Sequence, residues 1–206
     1  MTSSSYKILE ALLASYTEIP GNSPNVEQLR KCLQSVSAED IYRLLAARNV
    51  WTGVTAIYTA VQRDQAEVLS CFLDFITKKQ RNKLLLTTNR NGASFLHFAA
   101  YFGSNEAARR ICVYVSQEFR FQLFSKQANS GQTALHWAAW KGHTELITHI
   151  LDSVEPAQQI QLLDITDNSD RTVLDVALQY SNQSTADLIE QYRSKAYYQI
   201  AAEGEI

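Results

Sequence analysis

Three cysteines and four histidines are the residues of this chain with the means for covalent or metal chemistry. A Cys–His pair is the sharpest enzymatic reading, because an imidazole beside a thiol generates the attacking thiolate. Cys71 lies in "VLSCFLDF" and Cys112 in "RRICVYV". These are apolar helical stretches in which a thiol is inert packing rather than reagent. No histidine is placed beside either. An odd number of widely spaced cysteines (Cys32, Cys71, Cys112) fits neither a disulfide framework nor a zinc ligand set. There is no phosphate-binding loop, nucleophile elbow or H-E-x-x-H helix. No catalytic residue, metal ligand or cofactor is therefore assigned, and the chain is read as a non-enzyme. The alternative is an enzyme with Cys71 or Cys112 as nucleophile, which requires an accessible thiol of depressed pKa.

The remaining conspicuous side chains are basic and aromatic. "TKKQRNK" gathers Lys78, Lys79, Arg81 and Lys83 on one short helix, the composition of a solvated face. In "GQTALHWAAWKGHTELI" Trp137 and Trp140 stand three residues apart, nearly one helical turn, so both point to about the same side. The net charge of −2 gives no global pull toward nucleic acid or anionic lipid. No apolar run is long enough to span a membrane, and the start lacks the pattern of a signal peptide. Reduced thiols point to a cytoplasmic setting. Seven glycines and three prolines leave few breaks, so the fold is expected to be mostly helical.

What must position these residues is a repeat. Gly53, Gly92, Gly131 and Asp170 each open a similar segment, and successive starts differ by 39 residues. Leu45, Leu84, Leu123 and Leu162 keep the same spacing, as do Leu33, Phe72, Ile111 and Ile150. The first member of each series precedes the first motif, so half a degenerate repeat lies at the N-terminal side. Thr133 suits a helix start, Ala134, Ala138 and Ala139 are small helix formers, and Gly142 suits a helix end. Leu146, Ile147, Ile150 and Leu151 form one helical face.

The pattern G-x-T-x-L-H-x-A-A-x-x-G-H-x-E-L-I, clearest at Gly131, resembles the ankyrin repeat. That resemblance implies a β-turn and two antiparallel helices per repeat, stacked into an all-α solenoid. It also implies that His97 and His136 brace turns by hydrogen bonds and that His143 is structural. His149 reads as half-exposed without a partner. The extra length over the usual repeat falls in "TKKQRNKLLL", "SQEFRFQLF" and "EPAQQIQLL". Thr77 with Gln80 makes a capping box and Pro156 suits a first helical position, so each period gains a short third helix pinned by Leu84, Leu123 or Leu162. The long period is similar to that of ankyrin effectors which intracellular bacterial pathogens deliver into host cells, and this implies a host-cytosol setting.

Residues 1–48 are expected to form an N-terminal helical cap with the half repeat, "YKILEALLASY" and "NVEQLRKCLQS" being two amphipathic helices. Residues 49–192 hold the repeats (about 50–88, 89–127, 128–166 and 167–192), and 193–206 a C-terminal capping helix and acidic tail. The end repeats depart most: Tyr58 and Asp175 replace the histidine, Asp170 replaces the glycine, and two additional residues are read near "SNQST". "EFRFQLF" and "AYYQI" read as core of the third helix and of the C-terminal cap.

The period also separates the tryptophans. Trp137 shares a row with Thr59, Phe98 and Val176, mostly apolar and read as inter-repeat core. Trp140 shares one with Gln62, Tyr101 and Gln179, and the next row is Arg63, Phe102, Lys141 and Tyr180. In the ankyrin family these two rows lie on the concave, water-facing side. The candidate partner-binding surface is Tyr101, Phe102, Trp140 and Tyr180 with Arg63 and Lys141, plus Trp51, Arg90 and Arg171 from the turns. Trp, Tyr and Arg massed in one place are the composition of a protein-binding hot spot. The expectation is a monomeric protein-interaction module with one protein partner, binding neither nucleic acid nor membrane. A self-assembling array is a further alternative, which a concentration series in size-exclusion chromatography would separate.

Overall fold

The computed structural model of the chain describes residues 26–47 and 55–203. Among these there are thirteen helices and no strands, only an isolated bridge between Thr88 and Ser94. Trp51 and the stretch "YKILEALLASY" lie outside the described residues.

The helices form three rows. First helices are α3 (Ala56–Gln62), α6 (Phe95–Phe102), α9 (Ala134–Lys141) and α12 (Val173–Gln179). Second helices are α1 (Val26–Gln34), α4 (Ala66–Asp74), α7 (Asn105–Tyr114), α10 (Thr144–Leu151) and α13 (Gln183–Glu203). Third helices are α2 (Ala38–Ala46), α5 (Lys78–Leu85), α8 (Gln117–Phe124) and α11 (Pro156–Leu163). Each first helix packs on the next first helix and on its own second helix, and second helices stack on one another. The result is an all-α helical solenoid of helix pairs, the first three of which are each followed by a short third helix.

Alanines at the packed face of the first helices allow the close approach. Ala99, Ala100, Ala138 and Ala139 are fully buried, each with a second helix behind it. Leu33, Phe72, Ile111 and Ile150 line the buried face of the second helices, and Leu45, Leu84, Leu123 and Leu162 anchor the third helices in the core. The capping box at Thr77 forms: the Thr77 N–H donates to Gln80 Oε1 at 2.9 Å, and the Gln80 N–H donates to Thr77 Oγ1. Pro156 opens α11.

The third helices also satisfy carbonyls left open where second helices end. Arg81 Nε donates to Ile76 O, Arg120 Nη1 to Ser153 O, and Gln159 Nε2 to Leu151 O at 2.9 Å. Asn82 reaches forward instead, its Oδ1 accepting the N–H of Ser116 at the start of α8. Arg81 is thus partly internal, while Lys78, Lys79 and Lys83 stay exposed. Lys78 pairs with Glu118 at 3.8 Å.

Left-handed backbone recurs in the turn before the first helix, at Gly92, Gly131 and Asp170, and again between first and second helices, at Asp64 (φ 52°), Gly103 (72°), Gly142 (76°) and Ser181 (58°). At Gly103 a Cβ would come within 2.6 Å of the His143 ring, so only glycine fits that joint. At the first joint Asp64 accepts that strain and uses its carboxylate to cap α7, receiving the N–H groups of Ala107 (2.7 Å) and Glu106.

Three sequence expectations change. No insertion exists near "SNQST", because Ser181 occupies the glycine position and α13 begins at Gln183, 39 residues after Thr144 opens α10. α13 is one continuous helix through residue 193, because nothing after Asn182 breaks it. Its far end outruns the helices it packs on, so Ala196 is buried whereas Tyr197, Tyr198 and Ile200 of "AYYQI" are exposed rather than core. In "EFRFQLF", Leu123 and Phe124 are buried, with Phe119 and Phe121 packed half-buried against them.

Candidate functional site

The histidines close joints between repeats. The Ser94 N–H donates to His97 Nδ1 at 3.2 Å, and the Ser94 hydroxyl lies 2.9 Å from the same nitrogen. Since Nδ1 accepts, the proton is on Nε2, which donates to Gln132 O in the next repeat at 3.1 Å. His136 repeats the arrangement with Thr133 and with Arg171 O. Burial holds the His97 imidazole near a pKa of about 4 and pushes His136 the same way, so both are neutral braces. His149 is half-buried and its Nε2 has no hydrogen-bond partner among the described residues, Glu145 Oε1 on the same helix lying 3.7 Å away.

The two candidate nucleophiles are not placed for chemistry. Cys71 and Cys112 are buried. Burial pushes the Cys71 thiol up and takes Cys112 to about 12. Neither meets the requirement of an accessible, acidic thiol. Among the described residues no group of His, Cys, Asp and Glu could hold a metal ion.

The chemistry of the surface is aromatic. Tyr58 meets Phe98 edge-on, ring centroids 4.6 Å apart, and Phe102 at 6.3 Å. Phe98 leads to Trp137 at 6.3 Å, and Tyr101 contacts Phe102, Trp137 and Trp140 at 5.1, 6.1 and 5.8 Å. Trp140 continues to Tyr180 at 6.0 Å. Seven rings thus touch in succession across α3, α6, α9 and the end of α12. Edge-to-face and tilted pairs at these distances are each worth about 0.5–1.5 kcal/mol beyond area burial. Tyr101, Phe102 and Tyr180 keep 38, 36 and 48% of their surface exposed.

The structure brings together five of the residues singled out in the sequence: Tyr101, Phe102, Trp140, Lys141 and Tyr180. Lys141 Nζ sits 4.2 Å from the Trp140 ring centroid and 4.5 Å from that of Tyr101. Arg63 is exposed at the end of α3. Arg90 stands apart on a turn, where its carbonyl accepts from Asn129 Nδ2. The Arg171 guanidinium is already engaged, donating to Asp167 Oδ2 at 2.6 Å and to Gln179 Oε1 at 2.6 Å. Burial pushes the Asp167 carboxyl up, but Arg171 and the N–H groups of Ser169 and Arg171 outweigh it and hold it at about 2.

Sequence reasoning missed three rings. Trp137 was placed in the core, yet it is only half-buried, its Nε1–H donating to Gln132 Oε1 at 3.1 Å. An indole needs a partner for that N–H and is too large for the space which Val176 fills completely in the same row. Phe98 and Tyr58 are half-buried beside it. The available signal was that aromatics occupy adjoining positions of one helix face in consecutive repeats.

Residues 130–159 match the family model of the ankyrin repeat. The match spans α9, α10 and the start of α11, the repeat with the fullest motif. No curated protein matches the chain. The molecule is an all-α helical solenoid that contains one matched ankyrin repeat, and ankyrin repeats are in general protein-interaction modules. No helix among the described residues is long and apolar enough to cross a membrane. A cavity of about 440 Å³ adjoins the first joint, lined by Leu45, Thr55, Tyr58, Leu84, Ala93 and Phe98 among others.

Proposed function

We propose that this chain is a non-catalytic interaction module, monomeric, which holds one partner protein along the concave side formed by its first helices. The supporting observation is the unbroken succession of seven rings, three of them exposed, with Lys141 laid over two. Contiguous exposed aromatic surface costs solubility and marks interaction sites, and Trp and Tyr dominate interface energies. Arg63, Tyr101, Phe102, Trp140, Lys141 and Tyr180 carry the contact, extended by Tyr58, Phe98 and Trp137. Arg90 lies on the rim, and Arg171 serves by fixing its turn. The proposed setting is that of a bacterial effector acting in a host cytosol, which rests on the long repeat spacing.

Trp140→Ala tests the reading. Partners recovered with the native chain should bind the variant about 2 kcal/mol more weakly, near thirtyfold. The melting transition should move little, since a half-buried ring on the outer face leaves no closed cavity. Val113→Ala, exposed on α7 and away from the rings, should change neither. Native affinity of Trp140→Ala for every recovered partner would overturn the proposal.

A further inference from the structure

The ring face carries free charge of one sign. α3, α6 and α9 contain no Asp or Glu. The carboxylate of α12, Asp175, is taken up by the N–H and hydroxyl of Thr172 at 2.8 and 2.6 Å. Asp64, at the end of α3, is spent on the start of α7. The cations are different. Lys141 and Arg63 are exposed and form no ion pair among the described residues. Lys141 keeps the three donors of its ammonium for a ligand, while contact of its Nζ with the Trp140 and Tyr101 rings already restrains the head group. Restraint before binding lowers the entropy lost on binding.

We infer that the partner segment taken by this face is acidic: an extended stretch with one or two Asp or Glu among apolar side chains. Its carboxylate meets the Lys141 ammonium, and its apolar side chains lie on the rings. The inference rests on the proposed binding role of the ring face. A basic segment is disfavoured twice, because its cation would compete with Lys141 for the same two rings and would be repelled by it. A nucleic acid would need a track of several cations along its phosphates. Here two cations stand on different repeats, and Arg171 is held by Asp167.

The test is a displayed random peptide library panned on the whole chain and, in parallel, on Trp140→Ala, Lys141→Gln and Lys141→Glu, each first checked for native helical content. Labelled oligothymidine is titrated alongside. Peptides retained by the native chain but not by Trp140→Ala should be enriched in Asp and Glu. Such a peptide should lose about tenfold in affinity on Lys141→Gln and weaken with added salt, and Lys141→Glu should move the recovered pool toward Lys and Arg. Trp140-dependent peptides without acidic enrichment, or a pool unmoved by Lys141→Glu, would overturn the inference and leave the ring face standing. Absence of any Trp140-dependent peptide would overturn both. Oligothymidine binding abolished by Trp140→Ala would replace the acidic segment with nucleic acid and overturn the inference as well.

Discussion

The joint between the first and second repeats is built differently from the two that follow it. Downstream, His97 and His136 sit buried between a cap residue of their own repeat and a turn carbonyl of the next, at 3.1 Å in both cases. Upstream, the same position is Tyr58, which turns its ring to Phe98 and Phe102, and a cavity borders Thr55, Tyr58 and Ala93 where the brace would stand. At the far end the position is Asp175, which copies the inner half of the brace by accepting from Thr172 and makes no bond outward among the described residues. The comparison teaches that the histidine does two jobs. Capping its own helix can be done by a carboxylate, whereas joining repeats needs a ring with a nitrogen on each side.

Acid should break this asymmetry first. His97 titrates at about 4 when folded against 6.5 when free, so its contribution is complete above pH 6.5 and is lost as pH falls from there to about 4, on the order of 3 kcal/mol. His136 is shifted in the same direction and adds to the loss. Tyr58 does not ionise in that window. Thermal melts from pH 7 to 4 should show a falling midpoint, and a His97→Asn, His136→Asn double variant should show a much smaller fall. Equal acid sensitivity in the two would sink the assignment.

A smaller effect follows from removing one brace. His136→Ala orphans the Thr133 N–H and the Arg171 carbonyl, and should lower stability by about 1–3 kcal/mol while leaving ring-face affinity intact in the folded fraction. Unchanged melting with lost binding would make His136 a recognition residue instead. The smallest change should come from restoring the pattern at the first joint. Tyr58→His gains a brace between Thr55 and the Ala93 carbonyl but loses the 4.6 Å contact with Phe98. Both terms are about 1 kcal/mol, so calorimetry should find a net change within about 1 kcal/mol of zero. A large gain would show that the cavity, rather than the lost ring contact, sets the strength of that joint.

Most of the architecture was legible because a solenoid writes each contact several times. Leu84, Leu123 and Leu162 announced the third helices by spacing, and Thr77 with Gln80 and Pro156 gave their starts. The ring face was half legible. Trp140 stood out because its row is polar at both ends, but Trp137, Phe98 and Tyr58 were hidden because a row that mixes small and large apolar residues reads as interior. Periodicity tells which side a residue faces, and only side-chain volume tells how far it protrudes. The engagement of Arg171 by Asp167 and Gln179 was illegible for another reason: it depends on the folded turn, which brings together residues four positions before and eight after Arg171.

The histidine brace has a consequence for how such a chain can grow. Residues 131–169 offer a carbonyl at Gln132 on one side and an imidazole at His136 on the other. A second copy spliced after residue 169 would offer its Gln132 carbonyl to the first His136 and its own His136 to the Arg171 carbonyl, so the brace can be extended there with no new type of hydrogen bond. Spliced ahead of Gly92, the same copy would face Tyr58, which has nothing to offer its carbonyl. The chain is open to duplication in its middle and closed to it at its beginning.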